Sequence, residues 1–382
     1  MFTLVTSSKF FFLGLAEELD RRGLLESLVI GYPKFKLQNL SIPNSKLRTY
    51  PYLHSLIVKF PRSLNCLPSK LSNEIRLLNF QLISKFAKRI SPKNSTFIAI
   101  SSLGLELFDQ TNHAMAQNVV ICRASRHIME QHRILSDASI KWKISTELPS
   151  SKIISRELRE YEKATTIIVP SKICKESFIR HGIDSSKVHV VYFPSDLSDF
   201  SGQKESFRQE FVITFVGQVT LRKGICTFLE GLGKLSSTEY TVNLVGPIDY
   251  RFVTYLKRLQ YDRKQISFHG HQKSAKVREI LSKTSIFVMP SIEEGWPMAM
   301  MEAISMGCIP LVSDAICHLD ELPVPDPAFI FESENSSDLA AKIENLMQNY
   351  DHYQEILQAA RDADAMKRTW VNYVDDFLEA IA

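Results

Sequence analysis

Residues 289–314 read MPSIEEGWPMAMMEAISMGCIPLVSD and contain a strand–loop–helix–strand unit. The unit begins with the apolar run 286–289, which predicts a buried strand followed by a polar loop. Trp296 and Pro297 then open a short helix, with proline in the first turn, where its missing N–H costs nothing. Gly307 ends this helix, and the apolar run 309–312 predicts the next strand. Such a unit is typical of a parallel sheet that has helices on its faces.

The polar loop of this unit predicts an anion-binding site with a carboxylate on either side. A helix N-terminus just beyond the carboxyl end of a strand offers unpaired amides and the positive end of the helix dipole. Glu294 precedes these amides and Glu302 follows them, with seven residues between the two. The arrangement suits a diphosphate with hydroxyl-rich groups at both ends, which describes a nucleotide sugar. The alternative is an ordinary amphipathic helix on which Glu302 is a solvated surface residue.

The pattern Pro-Ser-x-x-Glu-Gly-x-Pro, followed by Glu-Ala-x-x-x-Gly, resembles the nucleotide-sugar site of the GT4-type retaining glycosyltransferases. These enzymes have the two-domain α/β fold called GT-B, in which two Rossmann-like domains face each other across a deep cleft. The family's first glutamate contacts the hydroxyls of the donor sugar, and its second binds the ribose hydroxyls. The resemblance therefore implies a catalytic role for Glu294 and ribose binding by Glu302. It also implies that the neighbouring loop and helix residues bind substrate: Ser291, Gly295, Pro297 and Met298.

Length and composition describe an ordinary globular protein with more than one domain. A chain of 382 residues is too long for one core and fits two domains of about 150–200 residues. Its six cysteines are scattered, so neither a zinc site nor a disulfide framework is predicted. The N-terminal segment carries Glu17, Glu18 and Asp20, which a signal peptide would lack, and no apolar stretch approaches about 18 residues. We therefore expect a cytosolic protein.

The net charge of +4 conceals a strongly basic segment. Residues 33–93 contain twelve Lys and Arg against one acid, Glu74, so their net charge is +11 and the rest of the chain is acidic. Apolar and aromatic residues such as Tyr52 and Leu56 are interleaved with these cations. A surface of this kind favours an anionic leaflet by about 1 kcal/mol per well-placed cation. Nucleic acid is the competing partner, and a merely solvated face is the third alternative. The resemblance favours peripheral contact with the inner face of a membrane.

Apolar runs alternate with amphipathic stretches, which predicts two doubly wound α/β units. The predicted strands are 2–6, 26–30, 96–100, 119–122, 166–169 and 187–192 in the first half, and 211–216, 240–245, 266–268, 286–289 and 309–312 in the second. The predicted helices outside the 289–314 unit are 11–22, 71–89, 103–116, 128–135, 156–164, 172–181, 225–235 and 370–382.

The resemblance divides the chain into an acceptor-binding N-terminal domain, residues 1–195 with about 366–382, and a C-terminal nucleotide-sugar-binding domain, residues 196–365. The segment from Phe193 resembles the family's linker, in which an aspartate precedes a phenylalanine by four positions, here Asp196 and Phe200. Pro194 replaces the usual glycine of that linker, which predicts a stiffer hinge. An apolar stripe in the last helix agrees with the family's terminal helix, which crosses back onto the first domain: Tyr373, Val374, Phe377 and Ile381.

Three glycines in the second half follow three successive strands: Gly217, Gly246 and Gly270. Small residues at the carboxyl ends of parallel strands let the backbone approach a ligand in the crevice. The ordered series predicts a nucleotide-binding domain and places these glycines in its substrate site.

The loop Gly217-Gln-Val-Thr-Leu-Arg-Lys-Gly224 leaves a strand and enters a helix, which predicts a phosphate site. The family pattern is Gly-Arg, four residues, then Lys-Gly, and both cations stabilise the leaving phosphate. Lys223 matches, and the resemblance implies a catalytic role for it, but Gln218 stands at the arginine position. Arg222 supplies the second charge if it reaches back, since a guanidinium binds phosphate in bidentate fashion. A surface lysine at the start of the helix is the alternative for Lys223.

The first domain offers a histidine at the end of its predicted strand 119–122. The family places a histidine after this strand, near the reacting sugar, so the resemblance implies a catalytic role for His127. His132 is the second choice, and a purely structural histidine is the alternative. The family's Gly-Gly turn after the first strand is absent, because the chain reads Ser7-Ser-Lys-Phe-Phe there. Because of this difference, the sequence does not predict the geometry on the acceptor side of the cleft.

Together these features imply a retaining transferase that moves a hexose or N-acetylhexosamine from a nucleotide-diphosphate sugar to a glycan or lipid-linked acceptor. Bacterial cell-surface polysaccharide or lipopolysaccharide synthesis is the setting that the resemblance favours. No metal cluster is evident beside these loops, so we expect neither a metal nor a cofactor. Lys223, Arg222 and the helix amides then neutralise the leaving diphosphate.

Two alternatives remain at this stage. A GT-B-fold nucleotide-sugar epimerase would need further acid/base carboxylates, for which the first half offers few, such as Glu106 and Asp109. A catalytically degenerate binding subunit that partners an active transferase would explain Gln218 and the missing glycines. The presence of Glu294, Glu302 and Lys223 together argues against such a subunit.

Overall fold

Two parallel β-sheets, one from each half of the chain, organise the molecule. A computed structural model describes residues 1–9, 11–59, 69–91, 96–108, 119–194, 210–236, 239–258, 265–362 and 368–382. The predicted linker residues Asp196 and Phe200, and the predicted domain boundary between residues 195 and 196, lie outside these ranges.

The first sheet has seven parallel strands, which are β1 (Phe2–Thr6), β2 (Leu25–Ile30), β3 (Leu47–Thr49), β4 (Thr96–Ile100), β5 (Val119–Cys122), β6 (Thr166–Val169) and β7 (Val188–Val190). Their spatial order is β3-β2-β1-β4-β5-β6-β7. Apolar residues cover both faces of this sheet, as a doubly wound sheet requires.

The second sheet has six parallel strands, which are β8 (Phe211–Val216), β9 (Tyr240–Val245), β10 (Ile266–Gly270), β11 (Ile286–Met289), β12 (Ile309–Ser313) and β13 (Ile330–Phe331). Their order, β10-β9-β8-β11-β12-β13, reverses direction between β8 and β11. Ligands of open α/β sheets bind outside the carboxyl ends of the strands at such a switch point. The loops that follow β8 and β11 are therefore the ones placed to hold a ligand.

The helices lie between these strands, as doubly wound topology demands. They are α1 (Phe12–Arg21), α2 (Tyr52–Lys59), α3 (Ser69–Ile90), α4 (Ile128–Trp142), α5 (Ser151–Lys163), α6 (Lys172–Arg180), α7 (Ile225–Leu232), α8 (Tyr250–Arg258), α9 (Ser274–Leu281), α10 (Met298–Ser305), α11 (Ser336–Gln348), α12 (Tyr350–Asp362) and α13 (Trp370–Ala380). None of them, within the part of the chain that the structure describes, is long and apolar enough to cross a membrane.

The last helix packs on the first domain, as the resemblance implied. Tyr373, Val374 and Phe377 of α13 are fully buried in the core on one face of the first sheet. Trp370 lies so close to Gly14 of α1 that a Cβ there would fall 2.1 Å from its indole ring. The two parallel-sheet domains and the returning helix confirm the predicted GT-B architecture.

Some predicted elements need correction. The helix predicted over 103–116 is wrong in its described part, because residues 103–108 form turns and a short 3₁₀ segment after Ser102, whose φ is 74°. The prediction missed two short strands, β3 and β13, and five helices, α2, α8, α9, α11 and α12. Pro297 is the N-cap of α10, which makes Met298 its first residue.

Candidate active site

The loops after β8 and β11 lie against each other at the switch point. The Ile292 amide donates to the Arg222 carbonyl over 3.0 Å, which joins the two backbones directly. Gly224, with φ 67°, is packed so tightly that a Cβ would fall 1.6 Å from the Pro290 carbonyl oxygen. Only glycine meets both conditions, a left-handed φ and a backbone neighbour in contact, without strain.

The predicted glycines also meet at the carboxyl ends of their strands. The Gly217 amide donates to Val245 and the Gly246 amide donates to Gly270, each over 2.8 Å. A Cβ on Gly246 would fall 1.9 Å from the Gly217 carbonyl oxygen. These glycines therefore bring three strand ends together beside the phosphate loop. Gln218, which follows Gly217, is exposed.

Lys223 and Glu294 form an ion pair across the two loops. Both side chains are largely buried, with 13% and 14% of their surface exposed. Burial lowers the pKa of Lys223 against the opposing influence of the Glu294 carboxylate. The structure thus places the predicted phosphate ligand beside the predicted sugar ligand, and the charge of each is balanced by the other.

Arg222 reaches the same cluster from the same loop. Its Nη1 donates to the Glu293 carbonyl over 3.1 Å and to the Glu293 carboxylate over 3.4 Å, and it lies 3.6 Å from a Glu294 carboxylate oxygen. Burial opposes the charged form of Arg222, but Glu294 and Glu293 outweigh it and raise the guanidinium pKa. The guanidinium is therefore held beside the two carboxylates, and its role in place of the arginine absent at Gln218 stays a prediction.

Glu293 is a member of this cluster that the sequence analysis did not select. Its side chain is completely buried, and it accepts hydrogen bonds from Ser125 and from Gln131 Nε2, the latter over 3.1 Å. Burial alone would raise the pKa of Glu293, but Arg222 and these two donors hold it below its ordinary value. Glu293 is thus a buried carboxylate shared between the two domains. Its position next to Glu294, in a loop that leaves a buried strand, is the only sequence signal that it gives.

Glu302 lies in α10, and no hydrogen bond or ion pair is found for its side chain among the described residues. Burial raises its pKa to about 6. Ser291 is fully buried, and its hydroxyl has no hydrogen-bond partner in the part of the chain that the structure describes. The Met298 amide donates to the Trp296 carbonyl over 3.0 Å, so the first amide of α10 is occupied. Among the described residues, Glu302 of α10 and Ser291 of the preceding loop therefore offer an unpaired carboxylate and an unpaired hydroxyl.

The loop after β11 also packs closely on the first domain. A Cβ on Gly295 would fall 2.1 Å from the Ala124 carbonyl oxygen, so the two backbones touch there. Trp296 and Met298 pack against the apolar core of the first domain, although they belong to the second. The predicted substrate residues Gly295 and Met298 consequently lie where the two domains meet, on either side of Pro297 in the chain.

A cavity of ≈ 530 Å³ opens between the two domains. Ser7, Arg123 and Ser125 line it from the first domain, and Gln218 and Arg222 line it from the second. The volume is in the range of small-molecule sites, which is about 300–1,000 Å³. Glu294 and Glu302 are outside its lining, and Glu294 adjoins it through Arg222.

His127 does not line this cavity. It is the N-cap of α4, where its Nδ1 accepts from the Met129 amide over 3.3 Å, and its ring stacks on that of His181 at 4.4 Å. Burial, with His181 and Arg123, lowers the pKa of His127 to about 3, so the ring is neutral. The contacts of His127 agree with the structural alternative, and its role beside the donor sugar stays a prediction. His132 lies on the edge of a neighbouring groove.

A buried polar network in the first domain supports the cleft wall. Arg123 donates to Gln131 Oε1 over 2.8 Å and to Glu157 over 3.1 Å, and Tyr161 donates to the same Glu157. Glu106, considered as an acid/base group for an epimerase, pairs with the buried Arg156. Asp109 lies outside the described residues. Within the described ranges, no group of three or more His, Cys, Asp or Glu residues is arranged to hold a metal ion.

Comparison with known proteins identifies the second domain. Residues 198–363 match the family model of glycosyl transferases group 1. A Campylobacter jejuni N,N'-diacetylbacillosaminyl-diphospho-undecaprenol alpha-1,3-N-acetylgalactosaminyltransferase is 22% identical over 179 residues, 47% of this chain and 46% of that protein. The O-antigen chain mannosyltransferase RfbU of Salmonella typhimurium is 27% identical over 150 residues, 39% of this chain and 42% of that protein. The matched segments thus span less than half of either relative.

Solved structures share the whole fold. The Anabaena protein HepE, in complex with UDP and glucose, superposes with a TM-score of 0.68. At 14% sequence identity, the alignment covers 100% of this chain and 98% of that one. At this identity the likeness establishes the fold of both domains.

We expect Gly224→Ala to destabilise the second domain far more than Gly270→Ala. Both glycines have a left-handed φ, 67° and 64°, but only at Gly224 would the new Cβ meet the backbone, at Pro290. The conformational cost is about 1–2 kcal/mol at either position, and at Gly224 the loops must also separate. Chemical denaturation of both variants measures the difference. Equal losses of unfolding free energy would show that the contact with Pro290 is not tight.

Proposed function

Since this chain belongs, through residues 198–363, to the glycosyl transferases group 1 family, we propose that it transfers a sugar from a nucleotide-diphosphate donor to an acceptor hydroxyl. The observation that carries the proposal is the cluster of Lys223, Arg222, Glu293 and Glu294 at the switch point of the second sheet. Two cations in one partly enclosed place suit a diphosphate, and carboxylates beside them suit sugar hydroxyls.

The donor in this proposal is a nucleotide sugar that occupies the second domain. Support comes from HepE, which shares the fold and is named as a complex with UDP and glucose. Glu302 in α10 would accept hydrogen bonds from the ribose hydroxyls, because its carboxylate has no partner among the described residues and is partly buried. Binding measurements with a panel of donors are needed to identify the base and the hexose or N-acetylhexosamine.

In the proposed reaction, the diphosphate displaces Glu294 from Lys223 and takes that cation as its own partner. Glu294 is then free to accept hydrogen bonds from the donor sugar. The acceptor hydroxyl attacks the anomeric carbon on the face that the diphosphate leaves. The C–O bond to the diphosphate breaks, a phosphate oxygen takes the acceptor's proton, and configuration is retained. Lys223 and Arg222 neutralise the charge that develops on the leaving group, and no metal is required for that role.

The acceptor in this proposal is a glycan or a lipid-linked glycan of the bacterial cell surface. The names of the two relatives reported above mention a diphospho-undecaprenol acceptor and O-antigen chains, which supports this class of acceptor. The acceptor would enter the interdomain cavity from the side of the first domain, where Ser7 and Arg123 line it.

Peripheral membrane contact through the basic segment 33–93 is part of the proposal. Phe35 is 66% exposed and stands between the exposed Lys34 and Lys36. In α2, Tyr52 and Leu56 are 73% and 57% exposed and share a helical face with Lys59. Exposed apolar side chains among cations are the composition of a surface that binds anionic lipid.

The two alternatives predict different fates for a bound donor. An epimerase would return an altered nucleotide sugar, and a degenerate subunit would bind the donor without changing it. Glu106 pairs with the buried Arg156, which leaves it poorly placed for acid/base chemistry at the sugar. The cluster at Lys223 and Glu294 suits a diphosphate, which all three functions would bind, so the fate of the bound donor separates them.

A panel of UDP-, GDP-, ADP- and CMP-sugars should raise the melting temperature for one nucleotide only. We expect Glu302→Ala to abolish that shift, because the ribose hydroxyls lose their acceptor. Glu355→Ala, an exposed glutamate of α12, serves as the matched control and should keep it. Absence of a shift with every donor would contradict the proposed donor site. Product analysis of the responding donor then separates transfer or slow hydrolysis from epimerisation and from binding alone.

Donor binding should weaken as the pH falls through about 6, where Glu302 protonates. Because the pKa of Glu302 is raised from an ordinary 4.5, its ionised form destabilises the free folded protein. This penalty is complete above about pH 6 and vanishes as the pH falls below 4.5. The ionised form is the one that accepts hydrogen bonds, so affinity should drop about fourfold between about pH 7.5 and pH 5.5. Calorimetry with the responding nucleotide sugar, which has no titrating phosphate in this range, measures the drop. Glu302→Gln should bind weakly and independently of pH; an unchanged pH dependence would exclude Glu302 as its source.

Vesicles of phosphatidylglycerol should sediment the protein, and vesicles of phosphatidylcholine should not. We expect binding to fall with added salt, which screens the cations, and to fall in the Tyr52→Ser, Leu56→Ser double variant, which loses exposed apolar area. Ile140→Ser, which removes a 77% exposed apolar side chain outside the basic segment, is the control. Equal sedimentation with both lipids, or no loss in the double variant, would refute the proposed surface.

A further inference from the structure

Glu293 joins the two domains through its side chain. Its partners in the first domain are neutral hydrogen-bond donors, and its partner in the second domain is a cation. From the first domain, Ser125 and Gln131 donate to its carboxylate, and the Arg126 amide does so over 3.4 Å. From the second domain, Arg222 Nη1 donates to its carboxylate and to its carbonyl. A fully buried carboxylate has no water to replace a lost partner, so each of these contacts constrains the others.

Gln131 links this carboxylate to the wall of the cleft. Its Nε2 donates to Glu293 and to the Ser125 hydroxyl, each over 3.1 Å, while its Oε1 accepts from Arg123. Both ends of the amide are therefore used, which fixes its orientation. The first domain thus presents a rigid set of donors to a carboxylate that belongs to the second.

Arg222 depends on Glu293 for its place. All of its contacts with the two glutamates use Nη1, and 35% of the side chain remains exposed toward the cavity that it lines. A long side chain that is anchored at one nitrogen keeps the rest of its planar fork available for a ligand. Without the anchor, the guanidinium would lose its orientation when the donor arrives.

We propose that Glu293 is a positioning residue, fixed from the first domain by Ser125 and Gln131, that orients Arg222 toward the donor diphosphate. The phosphate site is then complete only when the two domains are packed together as they are here. The packing of the first domain would in this way determine the orientation of a cation in the second domain. This inference rests on the proposed nucleotide-diphosphate donor and adds to it a role for three residues outside the family pattern.

Charge and position make opposite predictions for Glu293→Gln. Removal of a negative charge beside a phosphate site should tighten the binding of an anion if Glu293 acts only as a counter-ion. Loss of the ionic anchor for Arg222 should weaken that binding if Glu293 acts by position. Gln131→Leu is a second test, because it removes a donor to Glu293 without changing any charge and without touching Arg222.

The experiment is calorimetric titration of the full chain with inorganic pyrophosphate, after melting curves show that each variant is folded. The set comprises wild type, Glu293→Gln, Gln131→Leu, Arg222→Gln and the Arg222→Gln, Gln131→Leu double variant. Glu334→Gln is the matched control, since Glu334 also joins the domains, by accepting from Trp142 over 3.3 Å and pairing with Lys141.

We expect Glu293→Gln and Gln131→Leu each to raise the pyrophosphate Kd by about 5- to 10-fold, the size of coupling between residues in one network. In the Arg222→Gln background, Gln131→Leu should have no further effect, and Glu334→Gln should bind as wild type. Tighter binding by Glu293→Gln, unchanged binding by Gln131→Leu, or equal effects of Gln131→Leu with and without Arg222 would each overturn the inference alone. Failure of the wild type to bind pyrophosphate would overturn the proposed diphosphate site as well.

Discussion

Two cations and two carboxylates meet at the switch point of the second sheet, and the packing of both domains depends on how these charges are satisfied. Lys223 and Arg222 come from the loop after β8, and Glu293 and Glu294 come from the loop after β11. Loss of one partner of a buried ion pair costs about 3–5 kcal/mol. The loops therefore stay together unless another charged group replaces the lost partner. A diphosphate is such a group, because it can pair with the cations and leave Glu294 to the sugar.

Two glycines make this cluster possible, because they carry no side chain at the points where backbone segments must touch. Gly224 lies on Pro290 within the second domain, and Gly295 lies on Ala124 across the domain boundary. The first contact brings the cations to the carboxylates, and the second brings Ser125 to Glu293. Both contacts are backbone against backbone, so the site is held by the rigid ends of strands in two sheets. Small shifts between the domains consequently change hydrogen-bond distances directly at the charged groups.

Local pattern was sufficient to predict most of the fold and part of the site. The strands β1, β4, β5, β6, β8, β9 and β11 have the predicted limits, because each is a mainly apolar run that is buried over much of its length. Lys223 and Glu294 follow from their spacing beside a strand end. β3 was missed because three residues carry too little periodicity, and residues 103–108 are not helical, because Ser102 and Gly104 donate their amides to the distant Glu160. The packing of the His127 ring on Tyr161, Phe178 and His181 was not predicted either, because no local pattern brings these residues together.

In the proposed site, Arg222 takes the place of the family arginine that Gln218 replaces, and this accounts for the part that we propose for Glu293. An arginine directly after Gly217 would emerge from the strand end close to the phosphate, so its side chain would lose little conformational freedom on binding. Arg222 stands four residues later, and its guanidinium must be held in place to act at the same ligand. Glu293 supplies this anchor from the opposite loop, but a buried carboxylate beside a single cation still has unsatisfied lone pairs. Ser125, Gln131 and the Arg126 amide satisfy them from the first domain. Moving the cation along the loop thus ties the charge of the donor site to the contact between the domains.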